Sequence, residues 1–521
     1  MFVLSFSHAD NSIMMNILSK ITLVFLLLSL SFQTAIAVGS QQTERPNILI
    51  AISDDHSWNH TSVQGSPFVE TPNLDSIANA GFRFTNAYAA SPGCSPSRAG
   101  LLTGQHHWMI GAAGTHGSSF SVRYETFVDV LEGAGYKVGF TGKGWGPGDW
   151  LVGGRDKNPA GVEYNDLKLK IKPQKGISST DYAANFEQFM QERRPDEPFY
   201  FWYGAHEPHL QYAELGHTDE ELASVEVPGF LPNTEASREM LLDYADEINH
   251  FDTHLGKIIA NLEAAGELDN TLIIVTADNG MPMPRAKANG YDYGIHVPLA
   301  IRLGKGEGNA RVIKAPVGFV DLSATVLDAA GLEVPEQFVG QSLMDLLNGE
   351  VEKLDYDRAV YSGRERHSSS RYQNLSYPQR MMRRGDFLII WSARPELDPA
   401  GQARNIVDGE LSPPHSAYFD IDDSMIKREL IARRDDPYIG KFFHLAVDKR
   451  PEWQFFNVRE DPESLNDLAD DPDHAEIFAR YKKQLTDTLA ETGDPRVSGY
   501  GQIWEDYPRL RGPMRYFPNP D

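Results

Sequence analysis

The sequence predicts an α/β fold in which helices sandwich a large, mixed and mostly parallel sheet, with a smaller α+β domain after it. The large sheet is predicted by four apolar runs, at residues 45–52, 135–141, 198–203 and 270–277. Uninterrupted apolar runs of this kind are typical of parallel strands that are buried on both faces. Helical periodicity separates the runs at residues 124–131 and, as one long amphipathic helix, at residues 237–263.

The carboxyl-terminal part of the chain has a different pattern. Residues 380–390 predict an antiparallel strand, and residues 475–490 predict a helix that packs on the sheet. We therefore divide the chain into residues 1–37, a large domain at residues 44–375, and a smaller α+β domain with an antiparallel sheet and a helix at residues 376–521.

The first 37 residues have the pattern of upstream residues followed by a secretory signal. Lys20 precedes an apolar run at residues 21–30, and the small residues of Ala35-Ile36-Ala37 suit cleavage. The run is shorter than the about 20 residues that span a membrane, so we expect no stable membrane insertion after the signal is removed. The pattern predicts a periplasmic or secreted protein.

Composition narrows the class of partner. Hydrophobic residues make up 41% of the chain, which suits a sizeable core, and the formal net charge is −25. Because a protein that binds nucleic acid normally presents a basic face, we expect no nucleic acid as a partner. Long-range repulsion of an anionic substrate is screened beyond about 8 Å at physiological salt, so a local basic pocket can still hold an anion.

Acidic and amide side chains follow the first and fourth apolar runs. Asp54 and Asp55 come directly after the first run, and Asp278 and Asn279 come directly after the fourth. The carboxyl ends of strands are where ligands collect in open α/β sheets, and adjacent carboxylates repel each other unless a cation lies between them. Their oxygens form a ligand set that Ca²⁺ takes, so we predict a calcium site. Solvated turn residues are the alternative, since Asp-Asn-Gly is also a turn sequence.

Basic and titratable side chains follow the other two runs. Lys143 lies in the glycine-rich loop at residues 142–148, where a lysine can approach an oxyanion closely. His206 follows the third run, and an imidazole that titrates near neutrality can protonate a leaving group. His209, three residues further on, is a weaker candidate. An ordinary surface lysine and loop histidines without a catalytic role are the alternatives.

The only cysteine of the chain, Cys94, lies in the sequence CSPSRAGLLTG at residues 94–104. A lone cysteine is most often a small buried apolar residue, but its serine, proline, glycine and arginine neighbours predict a turn instead of a core strand. Residues 97–105 predict a helix, whose first N–H groups would face the cysteine and an anionic substrate. Arg98 lies one turn further on and can point back at Cys94.

The stretch around Cys94 resembles the signature of type I sulfatases, whose cysteine is oxidised after translation to Cα-formylglycine, also called 3-oxoalanine. The resemblance covers residues 46–495 and implies an alkaline-phosphatase-like fold. Residues 374–378, 450–453 and 492–495 look most like the heparan N-sulfatase branch of the family. The resemblance also implies a sulfated oligo- or polysaccharide as substrate and a formylglycine-generating maturase as partner.

The resemblance implies a role for each candidate site residue. The ligands of the calcium ion would be Asp54, Asp55, the modified Cys94, Asp278 and Asn279. The groups acting on sulfate would be the modified Cys94 as nucleophile, Arg98, Lys143 and Lys287 as cations, and His206 as the acid at the leaving group. In the family's mechanism one hydroxyl of the aldehyde hydrate attacks sulfur, and deprotonation of the other expels sulfate.

The chain departs from the family at Trp145, where many members have a histidine two positions after the lysine. This departure leaves open which residue is the base that expels sulfate. His116 and His367 are candidates for that base or for contact with the sugar, and His209 is a candidate for contact with the sugar.

Two other functions stay open at this point. A phosphatase or phosphonate hydrolase of the same superfamily would use the same metal and basic groups, because these suit any tetrahedral anion. A catalytically silent glycan-binding protein would instead keep Cys94 as an unmodified thiol.

Overall fold

The structure is a computed structural model that describes residues 45–306 and 310–520. The predicted secretory signal lies outside the described residues. The chain from Pro46 onward forms one compact unit.

The strands are β1 (Asn47–Ser53), β2 (Phe82–Tyr88), β3 (Lys137–Gly142), β4 (Val162–Glu163), β5 (Phe199–Gly204), β6 (Thr271–Ala277), β7 (His296–Arg302), β8 (Arg311–Ile313), β9 (Val317–Gly318), β10 (Ala359–Arg364), β11 (Gln379–Arg384), β12 (Phe387–Ser392), β13 (Ile406–Val407), β14 (Glu410–Leu411) and β15 (Trp453–Asn457).

The α-helices are α1 (Pro72–Ala80), α2 (Cys94–Thr103), α3 (Phe127–Gly133), α4 (Tyr182–Gln191), α5 (Asp219–Ser224), α6 (Glu235–Ala264), α7 (Asp292–Ile295), α8 (Phe319–Ala329), α9 (Met344–Leu347), α10 (Met425–Ala432), α11 (Gly440–Val447), α12 (Ala475–Glu491) and α13 (Ile503–Asp506). Short 3₁₀ turns occur at Ser62–Gln64, His107–Met109, Gly111–Gly114, Leu268–Asn270, Tyr372–Asn374 and Pro472–His474.

The large sheet has the strand order β4-β3-β5-β1-β6-β7-β2-β8, with β9 also paired to β2. Its pairs are parallel except those of β7, which runs antiparallel to both β6 and β2. The predicted mixed, mostly parallel sheet is therefore confirmed, and all four apolar runs form strands in it, as β1, β3, β5 and β6.

Helices cover both faces of this sheet, as predicted. Successive residues of a strand point to opposite faces, so Ile48, Ile50 and Ile52 of β1 pack in one core with side chains of α2, α3 and α8. Leu49 and Ala51 pack in a second core with side chains of α1, α4 and α6. The central strand is buried along its whole length, which explains its uninterrupted apolar sequence.

The smaller sheet is antiparallel, with the order β10-β11-β12-β15, and its presence confirms the predicted second sheet. The helix predicted at residues 475–490 is α12, which contributes Tyr481, Leu485 and Leu489 to the core beside this sheet. The single strand predicted at residues 380–390 is wrong, because Gly385, with φ of +53°, turns the chain into the hairpin β11–β12. The first strand of the sheet, β10, precedes residue 376, and the predicted domain boundary stays a prediction.

Candidate active site

The register of the large sheet brings the ends of four strands together. Ser53 of β1 pairs with Ala277 of β6, so Asp54 and Asp278 leave the sheet side by side. On the other side of β1, Gly142 of β3 pairs with Gly204 of β5, which brings Lys143 and the loop containing His206 to the same edge. The carboxyl edge of the sheet therefore collects the candidate residues, as strand-end reasoning predicts.

Cys94 is the first residue of helix α2, directly after the extended Gly93. The helix thus begins three residues before the predicted start, because Pro96 is accommodated in the first turn, where its missing N–H has no intrahelical partner to lose. Cys94 is 1% exposed, and burial raises the pKa of its thiol to about 11. An unmodified Cys94 is therefore a neutral thiol at physiological pH and a poor nucleophile.

Three cations each pair with a carboxylate around Cys94. Arg98 Nε donates to Asp278 Oδ2 at 2.7 Å in a fully buried ion pair. Lys143 Nζ donates to Asp54, and Lys287 Nζ donates to Asp55 Oδ2 at 2.6 Å. The cations predicted to contact sulfate are thus held beside the residues predicted to bind calcium.

The two carboxylates at the ends of β1 and β6 differ in proton affinity. Burial raises the pKa of Asp278 to about 6, and the negative charge of Asp54 acts in the same direction. Although burial opposes the shift, Lys143 helps to hold the pKa of Asp54 well below its usual range. This difference is the result expected when two buried carboxylates share one small region.

The acidic cluster also has buried oxygens that lack a donor. Within residues 45–306 and 310–520, Asp54 Oδ1 and Asn279 Oδ1 are buried and accept no hydrogen bond. One ligand atom each of Asp54, Cys94 and Asp278 lie within 4.8 Å of one another. An unsatisfied buried acceptor costs about 1–3 kcal/mol, and a hard cation would satisfy both oxygens. The oxygen-rich donor set therefore fits Ca²⁺.

Asp55 lies in the left-handed region, with φ of +68°, and links this cluster to a second group of side chains. Its Oδ1 accepts from Asn279 Nδ2 at 2.7 Å, and its Oδ2 lies 3.7 Å from His209 Nε2. Asp422 completes the second group by accepting from Lys287 Nζ at 3.0 Å. One ligand atom from each of Asp55, His209 and Asp422 also lies within 4.8 Å of the other two.

Sequence reasoning missed Asp422. The residue is 135 positions from Lys287 and belongs to the part of the chain assigned to the smaller domain. Its only sequence signal is the acidic run at residues 420–423, and such a run usually indicates a solvated surface.

His116 lies next to Cys94, and His367 lies next to His116. His116 Nε2 is 3.3 Å from Cys94 Sγ, and the two imidazole rings are 4.7 Å apart. Burial, followed by the proximity of His367, holds the pKa of His116 well below its usual range. His116 is therefore neutral at physiological pH and, in this state of the site, a weaker base than an ordinary histidine.

Trp145, at the position where the histidine is missing, is part of the core. It is 1% exposed, and its indole Nε1 donates to the carbonyl of Ser95 at 2.9 Å. The indole thus supports the first turn of α2, and an indole N–H cannot accept a proton.

A cleft of about 410 Å³ leads to this edge of the sheet. It is lined by Asp54, Lys143, Gly146, Pro147, Gly176, His206, His209, Leu210 and Gln211. Desolvation in the cleft, followed by the positive charge of Lys143, lowers the pKa of His206 to about 4. Every candidate site residue predicted from the sequence is thus placed at the carboxyl edge of the sheet or around Cys94.

The sulfatase family model matches residues 46–332, which is more than half of the chain. The chain belongs to the sulfatase family. The family resemblance drawn from the Cys94 stretch is confirmed, and this sulfatase is a sulfuric ester hydrolase.

Curated relatives of this sulfatase match most of its length. The N-sulphoglucosamine sulphohydrolase of Homo sapiens is 25% identical over 512 residues, covering 90% of this chain and 95% of the relative. The N-acetylglucosamine-6-O-sulfatase of Bacteroides thetaiotaomicron is 24% identical over 572 residues, covering 90% of each chain.

Solved structures share the fold of this sulfatase. A protein solved in complex with its substrate D-glucosamine-2-N,6-O-disulfate superposes with a TM-score of 0.59 at 20% identity, covering 87% of this chain and 99% of that chain. The phosphonate monoester hydrolase of Agrobacterium radiobacter superposes with a TM-score of 0.58 at 18% identity, covering 87% and 97%. The predicted alkaline-phosphatase-like fold is confirmed.

We predict that unconverted Cys94 resists alkylation while the protein is folded. Its pKa of about 11, against 9.0 for an ordinary cysteine, reduces the thiolate fraction about 100-fold at neutral pH. The protein is produced without the maturase, and the rate of iodoacetamide labelling is measured at about pH 7.5. The rate for the folded protein is compared with the rate for the same protein unfolded in guanidinium chloride. Equal rates in the two states would contradict the buried, neutral thiol.

Proposed function

We propose that this sulfatase removes sulfate groups from sulfated oligo- or polysaccharides, with Cys94 converted to Cα-formylglycine and a calcium ion bound beside it. The observation that carries the proposal is the position of Cys94 at the start of α2, among three cation–carboxylate pairs and two buried oxygens without donors. The structural surroundings suit an anion and a hard cation, and they leave the thiol itself unreactive.

Charge balance supports a divalent cation in the proposed site. Arg98, Lys143 and Lys287 face four carboxylates, those of Asp54, Asp55, Asp278 and Asp422. With all of them ionised, one net negative charge remains, which repels a sulfate ester. A divalent cation converts this to one net positive charge, which attracts the ester.

The residues proposed to hold the calcium ion are Asp54, Asp55, Asp278, Asn279 and the modified Cys94. When bound, calcium supplies a Lewis acid and a fixed positive charge beside the reacting group. Arg98, Lys143 and Lys287 would stabilise the charge that develops on the sulfate oxygens. These cations are held in place by their carboxylate partners before substrate arrives.

Proton transfer is assigned to two histidines on different sides of the site. The aldehyde hydrate supplies a hydroxyl nucleophile and a second hydroxyl whose deprotonation releases sulfate. His116 is proposed as the base, since its Nε2 lies 3.3 Å from Sγ of Cys94. His206 lines the cleft and is proposed to protonate the leaving oxygen or nitrogen. The negative charge of a bound substrate would act against the desolvation and the positive charge of Lys143, which together lower the pKa of His206. His209 and His367 are proposed to contact the sugar.

The proposal that the substrate is a glycan rests on the relatives. Their names include an N-sulphoglucosamine sulphohydrolase, an N-acetylglucosamine-6-O-sulfatase and an ulvan-active sulfatase from Formosa agariphila. N-linked and O-linked sulfates are both within the proposed substrate class. We also propose conversion of Cys94 by a formylglycine-generating maturase and export through the amino-terminal signal, which the sequence pattern at residues 20–37 supports.

Hydrolysis of a phosphate or phosphonate ester is the second candidate function. The similarity in fold to a phosphonate monoester hydrolase favours it, since cations around a metal suit any tetrahedral anion. The two candidates differ in substrate preference, which is measurable on nitrophenyl esters.

We predict that Cys94→Ala lowers kcat/KM for 4-nitrophenyl sulfate by about 10⁴-fold or more, because the nucleophile is removed. Ser224→Ala, at an exposed position on α5, is the control and retains activity. Circular dichroism checks the fold of both variants. A folded Cys94→Ala protein with wild-type turnover contradicts the role of residue 94, and higher kcat/KM on 4-nitrophenyl phosphate than on the sulfate favours the phosphatase alternative.

We predict that removing calcium with EGTA abolishes turnover and lowers the unfolding temperature, and that added Ca²⁺ restores both. A ligand present at 100 times its Kd stabilises the folded state by about 2.7 kcal/mol. Asp54→Asn raises the Ca²⁺ concentration needed for this stabilisation, because one charged ligand is lost. Asp435→Asn, whose side chain is 90% exposed, is the matched control. An unfolding temperature unchanged by EGTA and Ca²⁺ rules out the proposed calcium site.

A further inference from the structure

A second cavity, of about 500 Å³, lies beside the proposed active site. Asp422 lines this cavity and also accepts a hydrogen bond from Lys287, which pairs with Asp55. One carboxylate therefore belongs both to the cavity wall and to the group of residues around the reacting centre.

Shared lining residues make the cavity a neighbour of the cleft over the active site. The cleft shares Leu210 and Gln211 with a cavity of about 290 Å³. That cavity in turn shares Asp423 and Arg428 with the 500 Å³ cavity. The three depressions are therefore adjacent, so a glycan with one sugar in the cleft has the larger cavity within reach.

The acidic side chains of the larger cavity already have cationic partners. Asp422 pairs with Lys287 at 3.0 Å, and Asp423 pairs with Arg428 at 3.2 Å. The remaining cations, Lys427 and Arg515, have no ion pair within 4 Å among the described acidic residues. The cavity therefore has an excess of positive charge in a chain of net charge −25.

Lys427 and Arg515 are held around one aromatic ring. The Arg515 guanidinium lies 3.9 Å from the centroid of the Phe419 ring, and Lys427 Nζ lies 5.6 Å from it. Lys427 Nζ donates to the carbonyls of Tyr418 and Ile421, at 3.0 and 2.8 Å. An ammonium group has three N–H donors, so these carbonyls leave one donor for a ligand.

Arg515 is placed by the carboxyl-terminal segment of the chain. Its backbone N–H donates to Ser369 Oγ at 3.0 Å, and its Nη1 donates to the Ser369 carbonyl at 3.4 Å. The guanidinium is half-buried and retains further N–H donors for a planar anion such as a carboxylate or for a sulfate.

We propose that this cavity binds an anionic group, a sulfate or a carboxylate, on the sugar next to the one from which sulfate is removed. Lys427 and Arg515 supply the charged hydrogen bonds, and the Phe419 ring holds both cations in position. The proposal rests on the proposed function and narrows its substrate to glycans that carry a negative charge on neighbouring sugars.

The test compares three sulfated disaccharides that share the same hydrolysed end. Their neighbouring sugar carries a carboxylate, a sulfate or neither. We expect the wild-type enzyme to prefer at least one anionic disaccharide by about tenfold or more in kcat/KM, as one or two charged hydrogen bonds provide. The arm with the larger preference identifies which anion the cavity accepts.

Two variants and one control assign this preference to the cavity. Lys427→Met and Arg515→Gln are each expected to reduce the preference for the anionic disaccharide to about threefold or less, because each variant loses about one charged hydrogen bond. Arg433→Gln, whose cation pairs with Glu429 and Asp436 outside the cavity, is expected to keep it. The preference is a ratio within one protein, so a general loss of activity cancels.

The proposal is overturned if the wild-type enzyme shows no preference for an anionic disaccharide. It is also overturned if both cavity variants keep the wild-type preference. Absence of turnover on all three disaccharides would instead contradict the proposed function. Calorimetric titration of the Cys94→Ala protein with the same disaccharides then tests anion binding by the cavity without turnover. Tighter binding of an anionic disaccharide supports the proposal, and equal binding of all three rejects it.

Discussion

Two buried carboxylates, those of Asp54 and Asp278, lie side by side because β1 and β6 pair in register up to Ser53 and Ala277. Buried like charges at this separation are unfavourable unless cations accompany them. Arg98 and Lys143 supply that compensation, and each comes from a different element of the fold. Arg98 lies on α2 and Lys143 lies in the loop after β3, so these two segments place the cations beside the carboxylates.

This compensation couples the proposed catalytic groups to one another. Arg98 also donates to the carbonyls of Lys143 and Gly144, so the guanidinium positions the loop that carries the second cation. Removing one partner of a buried ion pair typically costs about 3–5 kcal/mol, because the other charge is left uncompensated. The site is therefore rigid before substrate arrives, which is the condition under which fixed cations stabilise developing charge most effectively.

The sequence was informative wherever a candidate site residue follows a buried strand. Asp54, Lys143, His206 and Asp278 could be predicted because strand ends are readable from apolar runs. The start of α2 could not be predicted in this way, since Pro96 resembles a helix break although the first turn of a helix tolerates proline. The hairpin at Gly385 was missed although the sequence carries a signal for it, since the polar residues Arg384-Gly385-Asp386 interrupt the apolar pattern.

Residues brought in from distant parts of the chain were harder to predict. Asp422 reaches Lys287 only through the packing of the carboxyl-terminal region against the large sheet. His116 was a candidate with two possible roles, and only its 3.3 Å distance from Cys94 Sγ favours the role of base over sugar contact. No local pattern encodes either contact, since each depends on tertiary structure.

The central claim is that residue 94 acts as an aldehyde hydrate and not as a thiol. Mass spectrometry of the tryptic peptide containing residue 94, taken from enzyme active on sulfated glycans, tests it most directly. The account predicts a mass about 18 Da below that of the cysteine peptide, owing to conversion to formylglycine. A fully active enzyme whose peptide has the unmodified mass and reacts with a thiol reagent after unfolding would contradict it.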